Sequence, residues 1–308
     1  MSFQHKRSPL NFNICLIAIN DFHFLYDDLI KTIFGGLTDL GYKATVSKNH
    51  LQKDAINILL GSTIFASRYL NLNKTLKGLP YIVYQLEPLN LNLGLIKDWP
   101  EYLEVLINAH AIWDYAPYNQ NYLAAHGFHN VYVTPPSHHS LIETLQLDEL
   151  KDIDVLFYGS PHDRRKKVMQ DLSKHNIKVV YVESLFGEDR NNLIRRAKII
   201  LNIHAWHGLN VLETVRLSFL LANKCFIISE NSDHNPYSDG VIFVPYESLV
   251  GTCMFYLQAS TQTRNEIASK GYVAASQIKA CDVLTKTMSL MGEERLGNLI
   301  FQGKKASS

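Results

Sequence analysis

The sequence predicts an α/β protein made of two doubly wound parallel-sheet domains in series. Three observations predict it. Short apolar, β-branched runs alternate with segments of helical spacing along most of the chain, which is the pattern of repeated strand–helix units and a parallel sheet. The alternation pauses at a charged stretch with few strand formers, Leu145–Lys151, and then restarts. The 308 residues are too many for one small core and suit two domains of ordinary size.

The first half begins with a strand, Asn13–Ile19, that ends in the polar rim Asn20-Asp21-Phe22-His23. A helix follows from Leu25 to about Leu40, because Leu25, Leu29, Ile33, Phe34 and Leu37 keep helical spacing, and Gly41 stops it. Strands are expected at Lys43–Ser47, at Ile56–Leu60 before Gly61-Ser62, and at Tyr81–Tyr84 before Gln85-Leu86-Glu87-Pro88. Ala111–Trp113 is a fifth strand, closed by Asp114-Tyr115-Ala116-Pro117, with a helix from Tyr118 to His126. Val131–Val133 is a sixth, ended by Pro135-Pro136.

The second half repeats the plan. Asp154–Tyr158 is a strand, Gly159-Ser160-Pro161 a turn, and Arg164–His175 a helix. Ile177–Val182 is a strand and Asn191–Ala197 a helix. Ile199–Ile203 is a buried strand, followed by a His-rich turn broken at Gly208, a helix over Val211–Ala222 and a strand at Cys225–Ile228. Val241–Val244 is the last strand, Glu247–Gln258 a helix, and Thr261 to about Phe301 keeps helical periodicity. The expected domains are 1–146 and 147–280, with 281–308 a terminal helix and a disordered tail.

Composition narrows the function. Hydrophobic residues are 46% and charged residues 19%, so the chain is globular and core-rich. A net charge of +1 supplies no general attraction for nucleic acid or an anionic membrane. Cys15, Cys225, Cys253 and Cys281 are widely spaced without a C-x-x-C pair, and read as reduced thiols of a cytoplasmic protein. Met1–Pro9 is polar and lacks a signal core, and no apolar run approaches the roughly 18 residues of a membrane span.

Ligands of open parallel sheets bind at the carboxyl ends of the strands. That rule places His204, His207, Gly208, Leu209 and Asn210 on a ligand-facing rim. The following helix offers its first-turn N–H groups to an anion. Glu213, near the start of that helix, either accepts hydrogen bonds from ligand hydroxyls or only complements the helix dipole. Gly159 and Ser160 allow close backbone approach, and Arg164, Arg165 or Lys166 can bring a cation to a phosphate. Asp152-Ile-Asp154 has the form of a short metal-binding Asp-x-Asp motif, but it enters a strand instead of closing one and is set aside. No Gly-x-Gly-x-x-Gly, Walker-type Gly-Lys-Ser or His-Glu-x-x-His motif is present, and His138-His139 lack the spacing of a zinc site.

The run Asp154-Val-Leu-Phe-Tyr-Gly159-Ser160-Pro-His-Asp-Arg164-Arg165-Lys166-Lys167 and the segment His207-Gly-Leu-Asn-Val-Leu-Glu213, with Arg216-Leu217, resemble the nucleotide-sugar-binding domain of two-Rossmann (GT-B type) glycosyltransferases. The nearest subset is the bacterial glycosyltransferase-like proteins of the spore-maturation type. The resemblance covers about residues 150–260. It implies two Rossmann-like domains facing a cleft, with the last helices crossing back to the first. It also implies metal-independent transfer of a hexosyl group from a nucleotide-diphosphate sugar to a glycan or other hydroxyl acceptor. The donor is then a substrate, and neither cofactor nor metal is expected. In this reading Arg164 or Arg165 stabilises the diphosphate, Glu213 holds ribose or sugar hydroxyls, and Glu183 accepts from the base. Ser229-Glu230-Asn231 can face the same cleft. From the first half, Asp21, His23 and Glu87 are candidate general bases by position, and Asp114, Tyr115 and Tyr118 candidate acceptor contacts. One departure stands out: many retaining members carry Glu-x7-Glu ending at the helix glutamate, and the first of these positions is Ala205. The rival readings are a non-catalytic nucleotide-sugar or glycan-binding protein on the same fold, and a nucleotide-sugar epimerase.

Overall fold

A computed structural model describes residues 10–19, 26–62, 66–67, 70–89, 99–208 and 210–292. The chain divides into two compact units. One holds Met1–Tyr26, Ile33–Pro135 and Ala280–Ser308, and the other holds Asp27–Thr32 and Pro136–Lys279.

The first unit carries β1 (Asn11–Leu16), β2 (Lys43–Lys48), β3 (Ile56–Leu60), β4 (Tyr81–Gln85), β5 (Ala111–Asp114) and β6 (Val131–Val133) in one sheet of order β2-β1-β3-β4-β5-β6. Every pairing is parallel. β3, β4 and β5 are buried from end to end, as strands covered on both faces must be. β2, at the edge, is mostly open and correspondingly polar. Asn13 and Asn57 are polar exceptions in this core, and they satisfy one another: Asn13 Nδ2 donates to Asn57 Oδ1 at 2.9 Å.

The second unit carries β7 (Ile153–Tyr158), β8 (Val179–Val182), β9 (Ala197–Asn202), β10 (Ile227–Glu230) and β11 (Ile242–Val244), ordered β11-β10-β9-β7-β8 and again all parallel. Within each sheet the second strand lies outside the first and the third lies on its other side. The connections therefore reverse direction between the first and third strands, and a crevice opens at that switch point. In the second unit the switch lies between β7 and β9.

Strand positions follow the apolar runs closely, whereas several other boundaries differ. The helix expected from Val211 begins at Thr214, and Val211 and Leu212 are buried in the non-helical segment before it. The single periodic stretch after Thr261 is two helices, Thr261–Ser276 and Ala280–Met291. Two helices carried no predicted counterpart, Leu72–Leu76 and Pro100–Ile107. The second begins on Pro100 and buries Tyr102, Val105 and Leu106 on one face.

The border between units corrects the expected one. It falls at Pro135/Pro136, before the charged stretch Leu145–Lys151. Residues 142–145 are tied to the second unit by Asn223. Its Oδ1 accepts from the N–H groups of Thr144 and Leu145 at 2.9 and 2.7 Å, and its Nδ2 donates to the Ile142 carbonyl. The charges of 145–151 thus mark an exposed strap of a domain, not its edge. At the other end, Ala280–Met291 packs on the first sheet. Trp113 Nε1 donates to Met291 Sδ at 3.4 Å, and the hydroxyls of Thr134 and Thr287 meet at 3.1 Å. The predicted disordered tail lies outside the described residues.

Candidate donor site

The crevice of the second sheet gathers residues from three strand ends. β7 turns at Gly159, whose φ of +147° favours glycine. Its geometry has a second cause: a Cβ there would stand 2.9 Å from Arg216 Nη2. The helix Asp163–Ser173 follows and supplies Arg164 and Arg165. β9 delivers Asn202 and His204, and β10 delivers Ser229 and Glu230. The helix Thr214–Ala222 opens with Glu213 in its N-cap position and Arg216 in its first turn.

These side chains form one network. Arg164 makes a bidentate pair with Glu230, at 2.9 Å through Nη1 and 2.6 Å through Nη2, and Nη1 also donates to the His204 carbonyl. The Arg164 guanidinium lies 4.2 Å from the centre of the Tyr246 ring. Arg165 is 4% exposed. Its Nε donates to the Ile203 carbonyl and its Nη1 to the Ser160 carbonyl, while Nη2 is 3.8 Å from Glu213. Glu213 Oε2 accepts from Asn202 Nδ2 at 2.8 Å, and Oε1 lies 3.1 Å from His204 Nδ1. The His204 backbone N–H donates to Glu230 Oε2, and its Nε2 lies 2.9 Å from the Asn231 carbonyl. With both ring nitrogens facing oxygens, the imidazolium form satisfies both contacts.

Electrostatics follow from this wiring. Burial disfavours a charged His204, but the Glu213 hydrogen bond and charge, the Asn231 carbonyl and Glu230 outweigh it, so its pKa is raised. Burial by itself would raise Glu213. The hydrogen bond and charge of His204, with Arg216 and Asn202 beside it, instead hold its carboxyl down at about 2. Arg165 is lowered to about 10 by burial and by neighbouring Arg216, with Glu213 opposing. Three guanidinium groups face two carboxylates, which leaves a positive excess suited to an anion.

The expected donor residues separate into three groups. Gly159, Ser160, Arg164, Arg165, His204 and Glu213 converge at the β7/β9 switch point. His207, Gly208 and Asn210 lie on the exposed turn after β9, and Glu183 is exposed after β8. Leu209 lies outside the described residues. Two expected roles meet partners within the protein, and two further residues join the site. Glu213 neither caps its helix with its side chain nor presents a free carboxylate, because Asn202 and His204 occupy its oxygens. Arg164 and Arg165, expected as the phosphate cations, are engaged by Glu230 and by backbone carbonyls. Arg216 and Asn202 belong to the network although sequence reading assigned them no role. The signal for Arg216 was its place one helical turn after Glu213, which puts both on one helix face.

The residues expected from the first unit have other surroundings. Asp21 and His23 lie outside the described residues. Glu87 accepts from the Tyr26 hydroxyl at 3.3 Å in a partly buried contact; desolvation raises its pKa and the Tyr26 bond opposes. Asp114 and Tyr115, expected at an acceptor face, are buried instead. Asp114 Oδ1 accepts from the Ala116 N–H and from Asn119 Nδ2, bracing the turn after β5, while Oδ2 is buried without a hydrogen-bond partner. Burial pushes the Asp114 carboxyl well up, against those two bonds. Tyr118 is open, at 39% exposure. Among the described residues no group of three His, Cys, Asp or Glu side chains could hold a metal ion, and no helix is long and apolar enough to cross a membrane. The discarded Asp-x-Asp pair forms surface ion pairs, Asp152 with Lys178 and Arg196 and Asp154 with Lys198.

Residues 138–279 match a family model described as glycosyl transferase-like. The matched residues fall within the second unit. Three proteins of Acanthamoeba polyphaga mimivirus are similar to the chain in sequence. Uncharacterized protein L138 is 32% identical over 116 residues, 36% of this chain and 13% of that protein. Uncharacterized protein R358 is 31% identical over 122 residues, 37% and 42% respectively. Uncharacterized protein L140 is 25% identical over 260 residues, 82% and 73%. The first two matches therefore span less than half of those proteins. Among solved structures, an α-glucosyltransferase in complex with UDP and a 13-mer DNA matches with a TM-score of 0.64 and 9% identity, over 93% of this chain and 100% of that one. A point mutant of T4 phage BGT in complex with UDP-glucose matches with a TM-score of 0.58 and 16% identity, over 94% and 99%. At these identities the likeness shows the fold, and the fold is GT-B.

Proposed function

We propose that the chain is a glycosyltransferase that moves a hexosyl group from a nucleotide-diphosphate sugar to a hydroxyl acceptor without a metal ion. The observation that carries this reading is the cationic crevice at the β7/β9 switch point, where a glycine turn and three guanidinium groups meet. In the reaction the acceptor oxygen bonds to the anomeric carbon as the bond from that carbon to the diphosphate oxygen breaks. The acceptor proton passes to a base, and the diphosphate leaves carrying the bonding pair. A leaving diphosphate needs fixed positive charge, which preorganised guanidinium groups supply. Glu87 is the candidate base among the described residues, and the upward direction of its pKa makes its carboxylate a stronger proton acceptor. Asp21 and His23 remain candidates by position in the sequence.

The nearest functional subset in this reading is the spore-maturation type, on the basic cluster that follows the Gly159 turn. A cytoplasmic location accords with four unpaired cysteines. The acceptor is a glycan or another hydroxyl compound, since a net charge of +1 offers no general attraction for a polyanion. An acceptor screen that includes DNA, after the α-glucosyltransferase solved with it, tests that choice.

The test is a thermal-shift panel of UDP, GDP, ADP, dTDP and CMP, each with and without magnesium. A ligand at ~100 times its dissociation constant stabilises by about 2.7 kcal/mol, so binding is readily seen. A magnesium-independent shift with one diphosphate is the expected result, and no shift with any of them overturns the reading. One observation favours a second reading. Ala205, at the position of a family glutamate, is 9% exposed and offers no polar group. A nucleotide-sugar-binding protein without transferase activity would bind one donor and neither transfer nor hydrolyse its sugar.

A further inference from the structure

We propose that Arg216, and not Arg164 or Arg165, is the cation that contacts the donor diphosphate. This rests on the glycosyltransferase reading above and names which of its three guanidinium groups meets the ligand. A guanidinium has five N–H donors in a rigid fork. Phosphate recognition uses those that are not already taken by the protein.

Arg164 spends both terminal nitrogens on Glu230, and one of them also on the His204 carbonyl. That pair is almost enclosed, with side-chain exposures of 18% and 12%. Exchanging the carboxylate for a phosphate would strand Glu230 beside its remaining donor, the His204 N–H. Arg165 is more deeply committed. It is buried, and its donors go to the carbonyls of Ile203 and Ser160 and toward Glu213. It joins the turns that follow β7 and β9.

Arg216 differs from both. Its Nη1 donates to Asn202 Oδ1 at 2.9 Å, and among the described residues neither its Nε nor its Nη2 has a hydrogen-bond partner. The group is nevertheless fixed in place. Its guanidinium carbon lies 5.3 and 5.2 Å from the ring centres of Phe157 and Tyr158, the last two residues of β7. Nη2 is directed at the Gly159 turn, where a Cβ would stand 2.9 Å away. The turn that a diphosphate must approach therefore has an uncommitted, half-buried guanidinium against it. Asn202 completes the arrangement by linking Arg216 to Glu213 and Ser229.

The experiment is isothermal titration of the full chain with UDP, GDP, ADP, dTDP and CDP. The diphosphate that binds most tightly, together with its parent nucleoside, is then carried into Arg216→Gln, Arg216→Lys and Gly159→Ala. We expect Arg216→Gln to weaken the diphosphate at least tenfold and leave the nucleoside within about twofold. Arg216→Lys keeps the charge without the fork and should fall between. Gly159→Ala pushes a methyl group against Nη2 and should weaken the diphosphate as well. Melting curves establish that each variant is folded. Should Arg216→Gln fail to fold, Arg216→Lys decides, with at least a threefold loss expected. Unchanged diphosphate affinity in a folded Arg216 variant overturns the inference and leaves the proposed function standing. Failure of the wild type to bind any diphosphate overturns both.

Discussion

The two sheets share a topology but finish their strand ends with different chemistry. The rim of the second sheet is built from charge: Arg164 with Glu230, His204 with Glu213, and Arg165 and Arg216 between them. The described part of the first rim is built mostly from buried amides and a tyrosine hydroxyl around one carboxyl, Asp114. Tyr102 donates to Gln85 Oε1 at 2.6 Å, Asn119 donates to the Glu87 carbonyl and to Asp114, and Asn119 accepts from the Leu89 N–H. Amides shape a loop without creating a field, whereas fixed cations create one. Strand-end position therefore does not identify a ligand site; uncommitted charge at that position does.

The comparison is broken most severely by Glu230→Ala. Removing one partner of a largely enclosed ion pair costs about 3 kcal/mol, because it leaves Arg164 uncompensated. Urea unfolding would show it, and a loss below about 1 kcal/mol would mean that the pair behaves as a surface bridge. Asn119→Ala is the matching change in the first rim. It orphans the buried Leu89 N–H and should cost about 2 kcal/mol in the same assay.

The pH dependence sharpens the contrast. His204 is raised in the folded state, so its contribution is complete below about pH 6.5 and fades as pH rises through the folded value. His204→Gln should flatten that part of the stability profile. Asp114 is also raised, by burial. Its contribution is complete below about pH 3.9 and is lost as pH rises through its folded value. Asp114→Asn keeps an oxygen for Ala116 and Asn119 and should raise the melting temperature at neutral pH. A Tm that stays level in that variant would show that the carboxyl is not titrating. The smallest effect is reserved for Asp152→Asn. Asp152 bridges Lys178 and Arg196 on an open surface, and its loss should leave the melting temperature unchanged.

Much of this was legible in the chain itself. Ile56–Leu60 and Val131–Val133 coincide with β3 and β6 because short, mostly apolar runs rich in strand formers and bounded by turn residues favour strands. Gly159 was legible as a turn, and Arg164, Arg165, His204 and Glu213 as rim residues, because strand ends locate the rim. The commitment of each side chain was not. Nothing local to Arg164 reports Glu230, which lies 66 positions away and joins it only when β10 packs beside β9. Asp114 reads as an open strand-end acid until Asn119 folds back over it.

The sequence alone determined the layout: which segments become strands, which turns carry glycine, and which residues stand at the strand ends. Those choices follow from short-range periodicity and backbone stereochemistry, which each segment carries by itself. Only the tertiary structure decided that Glu213 answers to His204 and Asn202, that Glu230 satisfies Arg164, and that Arg216 keeps donors to spare. The reason is physical. A charge's function depends on what remains unpaired after every neighbour within hydrogen-bonding reach has been counted, and those neighbours come from strands far apart in the chain.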